Sequence, residues 1–235
     1  MADDAFDVRP GDGALLLTCE HASARLPDGW RWPERDARLH GTHWTFDLGA
    51  AELTHELSTS LRSAAVLSTF TRLLADPNRA DDDPGLFRTH AEGLPVELNA
   101  RLDEDDVRRR LDRYWSRYHA AVDREAAKTA APVLLSVHTF TPVYEGTPRA
   151  MEIGVLFDRE DALAAVLAEA LAAEGFVVAM NEPYSGKEGL IYAAERHASM
   201  HGKHALELEV RQDLAVKPEA RARVVAALRR FVARL

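Results

Sequence analysis

The sequence has little that would suit an exported, membrane-embedded or disulfide-stabilised protein. Its single cysteine, Cys19, excludes an intramolecular disulfide. No apolar run approaches the ~20 residues that cross a bilayer. The opening segment MADDAFDVRPGDG lacks the basic and apolar parts of a secretory leader. We therefore expect a cytoplasmic protein, in which Cys19 is a small core residue.

Excess positive charge is also missing. The chain has 38 acidic and 29 basic residues, for a formal net charge of -9. This charge would repel nucleic acid and anionic membranes, so neither is an expected partner. Arg108, Arg109 and Arg110 form the only basic cluster together with Arg113 and Arg117, but acidic residues alternate with them at helical spacing. We expect these arginines to lie on a solvated helix face.

Three common site motifs are absent from the sequence. It contains no G-x-G-x-x-G segment, no P-loop and no H-E-x-x-H. The first two bind nucleotide phosphates and the third binds zinc from one helix. Their absence argues against nucleotide binding and against a helix-borne zinc protease site.

Strand-like and helix-like patterns alternate along the chain. With 235 residues and 46% hydrophobic content, we expect one domain over residues 1–235. The predicted class is α/β, with a mostly parallel or mixed central sheet covered by helices on both faces. Predicted strands cover residues 14–19, 63–70, 132–137, 151–157, 176–180 and 204–210, and predicted helices cover 47–61, 104–129, 161–175 and the C-terminal segment.

A long polar segment, LLADPNRADDDPGLFRTHAEGLPVELN, separates the second predicted strand from the helix at 104–129. It is rich in Pro, Asp and Gly, which disfavours regular structure. Loops of this length in compact domains are often lids or binding loops. The segment is therefore a candidate for part of a binding site.

Residues that can bind a metal follow or end the predicted strands. His21 follows ALLLTC, His138 follows PVLLSV, and HALELEV carries Glu207 and Glu209. The carboxyl ends of strands in an open α/β sheet form the ligand crevice. Two imidazoles and a carboxylate meeting there suggest a zinc hydrolase. Glu209 is the better candidate for the crevice because Glu207 lies deeper in the strand. A proline-containing turn in HTFTP is expected to orient the His138 ring.

The spacing does not decide which residue joins the two histidines as a ligand. Asp47 begins the predicted helix at 47–61, where it would either bind a ligand or cap the helix. Glu20, His40 and His43 are competing candidates, because they lie close in sequence to His21 or to Asp47.

Candidate substrate-binding residues lie in two further segments. TRLLADPNR carries Arg72, Asn78 and Arg79, and arginine binds carboxylates through a planar fork of donors. The alternative is a DPN turn with the arginines in solvent. NEPYSG follows the fifth predicted strand, and its Asn181 and Tyr184 offer hydrogen-bonding groups at the same sheet edge.

Six segments in order resemble the N-formylglutamate amidohydrolase family, which is related to zinc carboxypeptidases and aspartoacylases. The segments are CEHAS, HWTFDLGA, TRLLADPNR, SVHTFTP, NEPYSG and LELEVRQDL, and the resemblance spans from about residue 14 to residue 214. The resemblance implies a zinc-carboxypeptidase-like fold and one zinc ion held by His21, Asp47 and His138. It also implies Glu209 as general base, and it favours Asp47 over Glu20 as the third ligand.

The sequence departs from the family pattern at two places. Val137 stands where many members have an acidic residue, and Thr45-Phe46 replaces a more usual Ala-Trp pair. Neither change removes a ligand implied by the resemblance, although both bear on the choice of substrate.

The expected reaction is hydrolysis of a small N-acyl amino acid that carries a carboxylate, with Zn²⁺ as cofactor. One of Arg72 and Arg79 would stabilise the oxyanion while the other binds the substrate carboxylate. Two alternatives are a zinc peptidase or cell-wall peptide amidase on the same scaffold, and an amino-acid-binding module without catalysis.

Overall fold

The structure, a computed structural model, describes residues 4–235 and is organised around one sheet of seven strands in that range. The strands are β1 (Phe6–Arg9), β2 (Leu15–Cys19), β3 (Ala64–Ser68), β4 (Val133–Phe140), β5 (Ile153–Leu156), β6 (Val178–Met180) and β7 (His204–Arg211). Their order across the sheet is β1-β3-β2-β4-β7-β5-β6.

The sheet is mixed, with a parallel centre. Strands β3, β2, β4 and β7 run parallel to one another. At one edge β1 pairs antiparallel to β3, and at the other β5 runs antiparallel to β7 and parallel to β6. The carboxyl ends of the four central strands therefore lie along one edge, where the sequence predicts the ligand crevice.

Helices cover both faces of the sheet. They are α1 (Ala50–Leu61), α2 (Glu104–Arg110), α3 (Ser116–Lys128), α4 (Asp161–Ala172), α5 (Tyr192–Met200), α6 (Gln212–Ala215) and α7 (Pro218–Val232). Apolar side chains of α1, α4 and α7 pack on one face, and those of α3 and α5 pack on the other. This arrangement confirms the predicted α/β class. Among the helices of residues 4–235, none has the length and apolar character needed to cross a membrane.

Apolar and polar residues alternate along β7, so their side chains lie on opposite faces of the sheet. On β7, Leu206 and Leu208 enter the core beneath α1, α4 and α7. Glu207 and Glu209 take the other face, because successive strand residues point to opposite sides. They are buried there, since β7 lies inside the sheet between β4 and β5.

Two features of the sheet differ from the sequence-based expectations. Strand β4 does not end before His138 but continues to Phe140, so HTF is strand and not turn. Pairing with β7 extends it, with Glu209 opposite His138 and Arg211 opposite Phe140. Strand β1 was not predicted and adds an antiparallel edge to β3.

The segment predicted as one helix over 104–129 is interrupted by a π-helical turn at Leu111–Trp115 between α2 and α3. The long polar segment before it contains a two-stranded hairpin and a 3₁₀ turn. Other short elements are the hairpin of Val143–Tyr144 and Thr147–Pro148, the hairpin of His90–Ala91 and Leu94–Pro95, and 3₁₀ turns at Glu34–Leu39, Glu97–Asn99 and Gly186–Glu188.

The expectation of a fully solvated arginine cluster is wrong for Arg110, which is buried. Its guanidinium donates to the carbonyl of Leu74 at 3.1 Å, to Asn99 Oδ1 at 2.6 Å and to the carbonyl of Leu98 at 3.0 Å. It also pairs with Asp106 at 2.9 Å. Arg110 thus fixes the long loop to α2 by satisfying buried carbonyl groups that helices and strands leave unpaired.

A buried histidine pair joins α3 to α5. His119 Nδ1 lies 2.8 Å from His197 Nε2, and His197 Nδ1 lies 2.7 Å from Asp123. The Trp115 ring covers His119 at a centroid distance of 4.0 Å. Desolvation, with the neighbouring charge of His197, lowers the pKa of His119 from 6.5 to about 3. The native state therefore holds His119 neutral at pH values where the unfolded chain protonates it.

This pKa shift predicts acid sensitivity of the fold. As pH falls from about 6.5 towards 3, the unfolded state gains a proton on His119 that the native state does not bind, so the free energy of unfolding decreases. We expect His119→Gln to weaken this decrease in urea unfolding measured between pH 7 and pH 4. The exposed His90 provides the control, and His90→Gln should keep the wild-type slope. An unchanged slope in His119→Gln would contradict the interpretation.

Candidate functional site

Polar side chains form two rows across the carboxyl ends of three neighbouring strands. In the deeper row Thr18, Ser136 and Glu207 lie opposite one another on β2, β4 and β7. One step further along, His138 lies opposite Glu209. The register of the sheet therefore brings residues that are far apart in sequence to one edge.

His21, Asp47 and His138 form a buried cluster at this edge. One side-chain nitrogen or oxygen atom from each residue lies within 4.8 Å of those of the other two. Asp47 Oδ2 lies 2.9 Å from His138 Nδ1 and 3.4 Å from His21 Nδ1. Two imidazole nitrogens and a carboxylate are a donor set suited to zinc, and catalytic zinc sites commonly use three protein ligands.

A buried carboxylate holds the second nitrogen of each imidazole. His21 Nε2 lies 2.7 Å from Asp76, and His138 Nε2 lies 3.0 Å from Glu20. Histidines that bind metals usually have such a partner, which fixes the ring and its tautomer. The Nδ1 atoms that face Asp47 are therefore the ones available to a metal ion.

The competitors of Asp47 lie outside the cluster. Glu20 sits behind His138, where it accepts hydrogen bonds from Tyr118 at 2.9 Å and from Ser136. Although burial opposes ionisation, His138 and the hydrogen bond from Ser136 lower the pKa of Glu20 to about 2. The His40 ring packs edge-on against Trp32, and His43 lines the neighbouring cavity.

Asp47 does not cap the helix that follows it. Helix α1 begins at Ala50 after Gly49, which has a φ of 82° and provides no side-chain cap. A β-carbon on Gly49 would lie 2.7 Å from the Ala215 backbone, so glycine allows this close approach. The Asp47 carboxylate instead accepts a hydrogen bond from the Thr139 amide at 3.2 Å. Contacts to His21 and His138 hold the pKa of Asp47 well below its ordinary value despite its burial.

The cluster contains more acidic groups than its cations balance. Burial raises the pKa of Glu207 to about 7, and it raises the pKa of Glu209 well above its ordinary value. Glu207 Oε2 is 3.6 Å from His138 Nε2. Glu209 is buried, and its Oε2 atom has no hydrogen-bond partner among residues 4–235. A buried polar atom of this kind calls for a ligand or a role in chemistry.

A cavity of about 190 Å³ opens beside the cluster. Its lining includes Arg79 and Arg88 from the long polar segment, Arg72 just before that segment, and Glu207 and Glu209. The segment therefore lines a cavity, and its part in a binding site stays a prediction. The DPN turn is also present, because Asp76 Oδ1 accepts a hydrogen bond from the Asn78 amide at 2.9 Å. Turn formation and a cavity-lining position therefore coexist in this segment.

The other predicted substrate-binding residues divide into two groups. Asn78 and Tyr184 line the cavity, and the Asn78 amide group contacts Glu207 at 3.4 Å. Asn181 does not line it. The side-chain oxygen of Asn181 accepts hydrogen bonds from the Phe157 amide at 3.0 Å and the Gly186 amide at 3.1 Å. Asn181 thereby holds the turn that carries Tyr184.

A glycine lets this turn approach Glu209. Gly154 on β5 lies opposite Glu209 on β7. A β-carbon on Gly154 would collide with the Glu182 carbonyl oxygen and would lie 3.3 Å from Glu209 Cβ. The absence of a side chain therefore allows the 181–186 turn to pass over the strand next to the buried carboxylate.

Sequence reasoning missed several residues of this site. The DPN motif predicts only a turn at Asp76, and no motif indicates Arg88 or Trp44, although all three contact or line the site. The DPN spacing signals the turn but not the 2.7 Å contact to His21. That contact joins residues 55 positions apart and depends on the fold.

The chain is similar to proteins of known family. The family model described as N-formylglutamate amidohydrolase matches residues 13–216. An N-formylglutamate deformylase of Pseudomonas putida is 27% identical over 135 residues, covering 52% of this chain and 49% of that protein. The match thus spans about half the length of this curated relative.

Solved structures share the fold of this chain. The crystal structure of an Agrobacterium tumefaciens gene product has a TM-score of 0.89 and 29% identity, covering 98% of this chain and 94% of that chain. N-formylglutamate amidohydrolase from Ralstonia eutropha has a TM-score of 0.65 and 22% identity, over 98% of this chain and 96% of that chain. At greater distance, a carboxypeptidase-like protein of Burkholderia mallei has a TM-score of 0.50 and 9% identity, over 98% and 60% of the two chains. The family match over residues 13–216 means that the chain belongs to the N-formylglutamate amidohydrolase family, whose name describes hydrolysis of an amide bond.

Proposed function

We propose that this protein is a zinc-dependent hydrolase that cleaves the amide bond of an N-acyl amino acid similar to N-formylglutamate. Its products would be a carboxylate and a free amino acid. The observation that carries the proposal is the buried Glu209 carboxylate, whose Oε2 atom has no hydrogen-bond partner among residues 4–235, beside the cluster of His21, Asp47 and His138. Family membership supports the substrate class, and cytoplasmic location and a single domain remain predictions.

The three residues of the cluster would hold the metal ion. The surplus of carboxylates around them, with the raised pKa of Glu207, fits a site built for an additional cation. Asp76 and Glu20 would keep the two imidazole rings in place through their second nitrogens. Zinc bound there supplies Lewis-acid chemistry, which polarises a carbonyl group and lowers the pKa of a water molecule towards neutrality.

Glu209 would act as the general base. It lies opposite His138 in the strand register and lines the cavity, so it is adjacent to both the cluster and the space for substrate. Its carboxylate would accept the proton of the attacking water and deliver it to the leaving amide nitrogen. Burial would favour this transfer, because a desolvated carboxylate is a stronger base than an exposed glutamate.

The cationic residues of the cavity would bind the charged parts of the substrate. Arg72 lies 2.8 Å from Asp76 and 3.5 Å from Asp47, next to the cluster, which suits stabilisation of the developing oxyanion. Arg79 lies further along the same loop and would bind the α-carboxylate, with Asn78 and Tyr184 providing hydrogen bonds. Asn181 is assigned to the turn that carries Tyr184 and not to the substrate.

The ligand assignment predicts a contrast between two residues near each other. Asp47→Ala should lower zinc affinity and abolish hydrolysis, because it removes the carboxylate that faces both imidazoles. His43→Ala changes a residue that lines the same cavity outside the cluster, so zinc should remain bound. Zinc content after dialysis measures both. Wild-type zinc in Asp47→Ala would remove Asp47 from the site.

The general-base role predicts a separation of binding from turnover. Glu209→Gln keeps the size of the side chain but cannot accept the water proton, so zinc and substrate should bind while turnover falls about 100- to 10,000-fold. The measurement is a deacylation assay on formyl, acetyl and short peptidyl amino acids, with zinc content determined in parallel. Glu207→Gln, measured in the same assay, tests whether the neighbouring carboxylate is the general base instead.

Other outcomes of that assay point to other functions. Preference for peptidyl over formyl substrates would favour a peptidase or peptide amidase. Zinc-free protein that binds an amino acid without turnover would favour a binding module. Full activity in Glu209→Gln would contradict the proposed mechanism at its central step.

A further inference from the structure

Three arginines line the cavity, and their charges are balanced to different extents. Arg72 has Asp76 at 2.8 Å and Asp47 at 3.5 Å. Arg79 has Asp83 at 3.4 Å. Arg88 forms no ion pair with a carboxylate among residues 4–235, and its guanidinium carbon lies 5.1 Å from the centre of the Trp44 ring. Arg88 is thus the arginine of the cavity lining that forms no ion pair with a carboxylate of the described residues.

The environment of Arg88 is unfavourable to its charge. Desolvation lowers the pKa of Arg88, and repulsion from Arg72 and Arg79 acts in the same direction, with only partial compensation from Asp76 and Tyr144. The neighbouring Trp44 Nε1 group is buried without a hydrogen-bond partner among the described residues. This wall of the cavity therefore has an excess of donors and positive charge, which an anionic ligand would offset.

The backbone at Arg88 is held in place from the inside of the molecule. Asn99 Nδ2 donates to the Arg88 carbonyl at 2.9 Å, and Asn99 Oδ1 accepts from the buried Arg110 at 2.6 Å. The guanidinium group of Arg88 lies over the Trp44 ring. An arginine fixed in this way loses less conformational freedom when it binds an anion than a flexible surface arginine does.

We propose that Arg88, supported by Trp44, is the subsite that binds the side-chain carboxylate of an acidic N-acyl amino acid and so determines specificity. The proposal rests on the proposed function. It divides the cationic groups of the cavity: Arg72 serves the reacting carbonyl, Arg79 the α-carboxylate, and Arg88 the second carboxylate. A substrate with an uncharged side chain would leave Arg88 without its anion.

The test compares N-formyl-L-glutamate with N-formyl-L-glutamine, which has nearly the same shape but no side-chain charge. In Arg88→Gln, kcat/KM for the glutamate substrate should fall about 10- to 100-fold, mainly through KM, since a hydrogen bond to a charged group contributes about 1.5–3 kcal/mol. The value for the glutamine substrate should change less than about threefold. Arg88→Lys should recover part of the loss, because it restores charge without the planar fork.

Arg35→Gln is the matched control, because it removes the same charge from an exposed residue outside the cavity lining. It should leave both substrates unaffected. Zinc content should stay at the wild-type level in all variants, which separates a specificity effect from loss of the metal site. Equal effects of Arg88→Gln on both substrates, or no effect on either, would overturn the subsite while the hydrolase function stands.

Calorimetric titration of the zinc-loaded Glu209→Gln protein, with and without Arg88→Gln, tests the subsite independently of turnover. Weaker binding of the glutamate ligand alone would support it even if the wild-type protein hydrolyses neither compound. In that case the proposed function fails and the subsite remains. Equal affinity of the two proteins for the glutamate ligand would overturn the subsite.

Discussion

The carboxylate of Asp47 lies between two imidazoles, and the arrangement of the site depends on this contact. Its Oδ2 atom is within 3.4 Å of His21 and 2.9 Å of His138. The three residues come from the segment after β2, the approach to α1 and the strand β4, so the contact ties separate parts of the fold to one point. Asp76 and Glu20 hold the two rings from behind, which leaves one nitrogen of each ring directed at the shared carboxylate.

Burial of charge is the constraint that follows from this arrangement. Five carboxylates, those of Glu20, Asp47, Asp76, Glu207 and Glu209, are buried near two histidines and Arg72. Buried carboxylates are unfavourable in a protein interior unless cations or hydrogen bonds balance their charge. The strand register places Glu209 beside His138. The long polar segment brings two further arginines, Arg79 and Arg88, to the cavity. The proposed zinc ion and an anionic substrate would together complete the charge balance of this interior.

The sequence predicted the sheet class because apolar strands alternate with amphipathic helices, a pattern set by local chemistry. It also identified the three residues that now form the cluster, although the choice of Asp47 over Glu20 rested on family resemblance. It could not predict that β4 continues through His138, because pairing with β7 extends that strand. Nor could it predict Asp76 or Arg88 as site residues. Their positions depend on the path of a loop fixed by the buried Arg110, and this contact has no local sequence signal.

The central claim is that two histidines and one aspartate from this edge of the sheet bind a single zinc ion. Zinc K-edge X-ray absorption on the zinc-loaded protein tests it most directly, because imidazole and oxygen ligands give distinct scattering patterns. We expect one zinc per chain with two imidazole ligands, oxygen donors for the remainder and no sulfur. Loss of one imidazole contribution is expected in His138→Ala. A zinc environment with fewer than two imidazoles, or with the Cys19 sulfur as a ligand, would contradict the account.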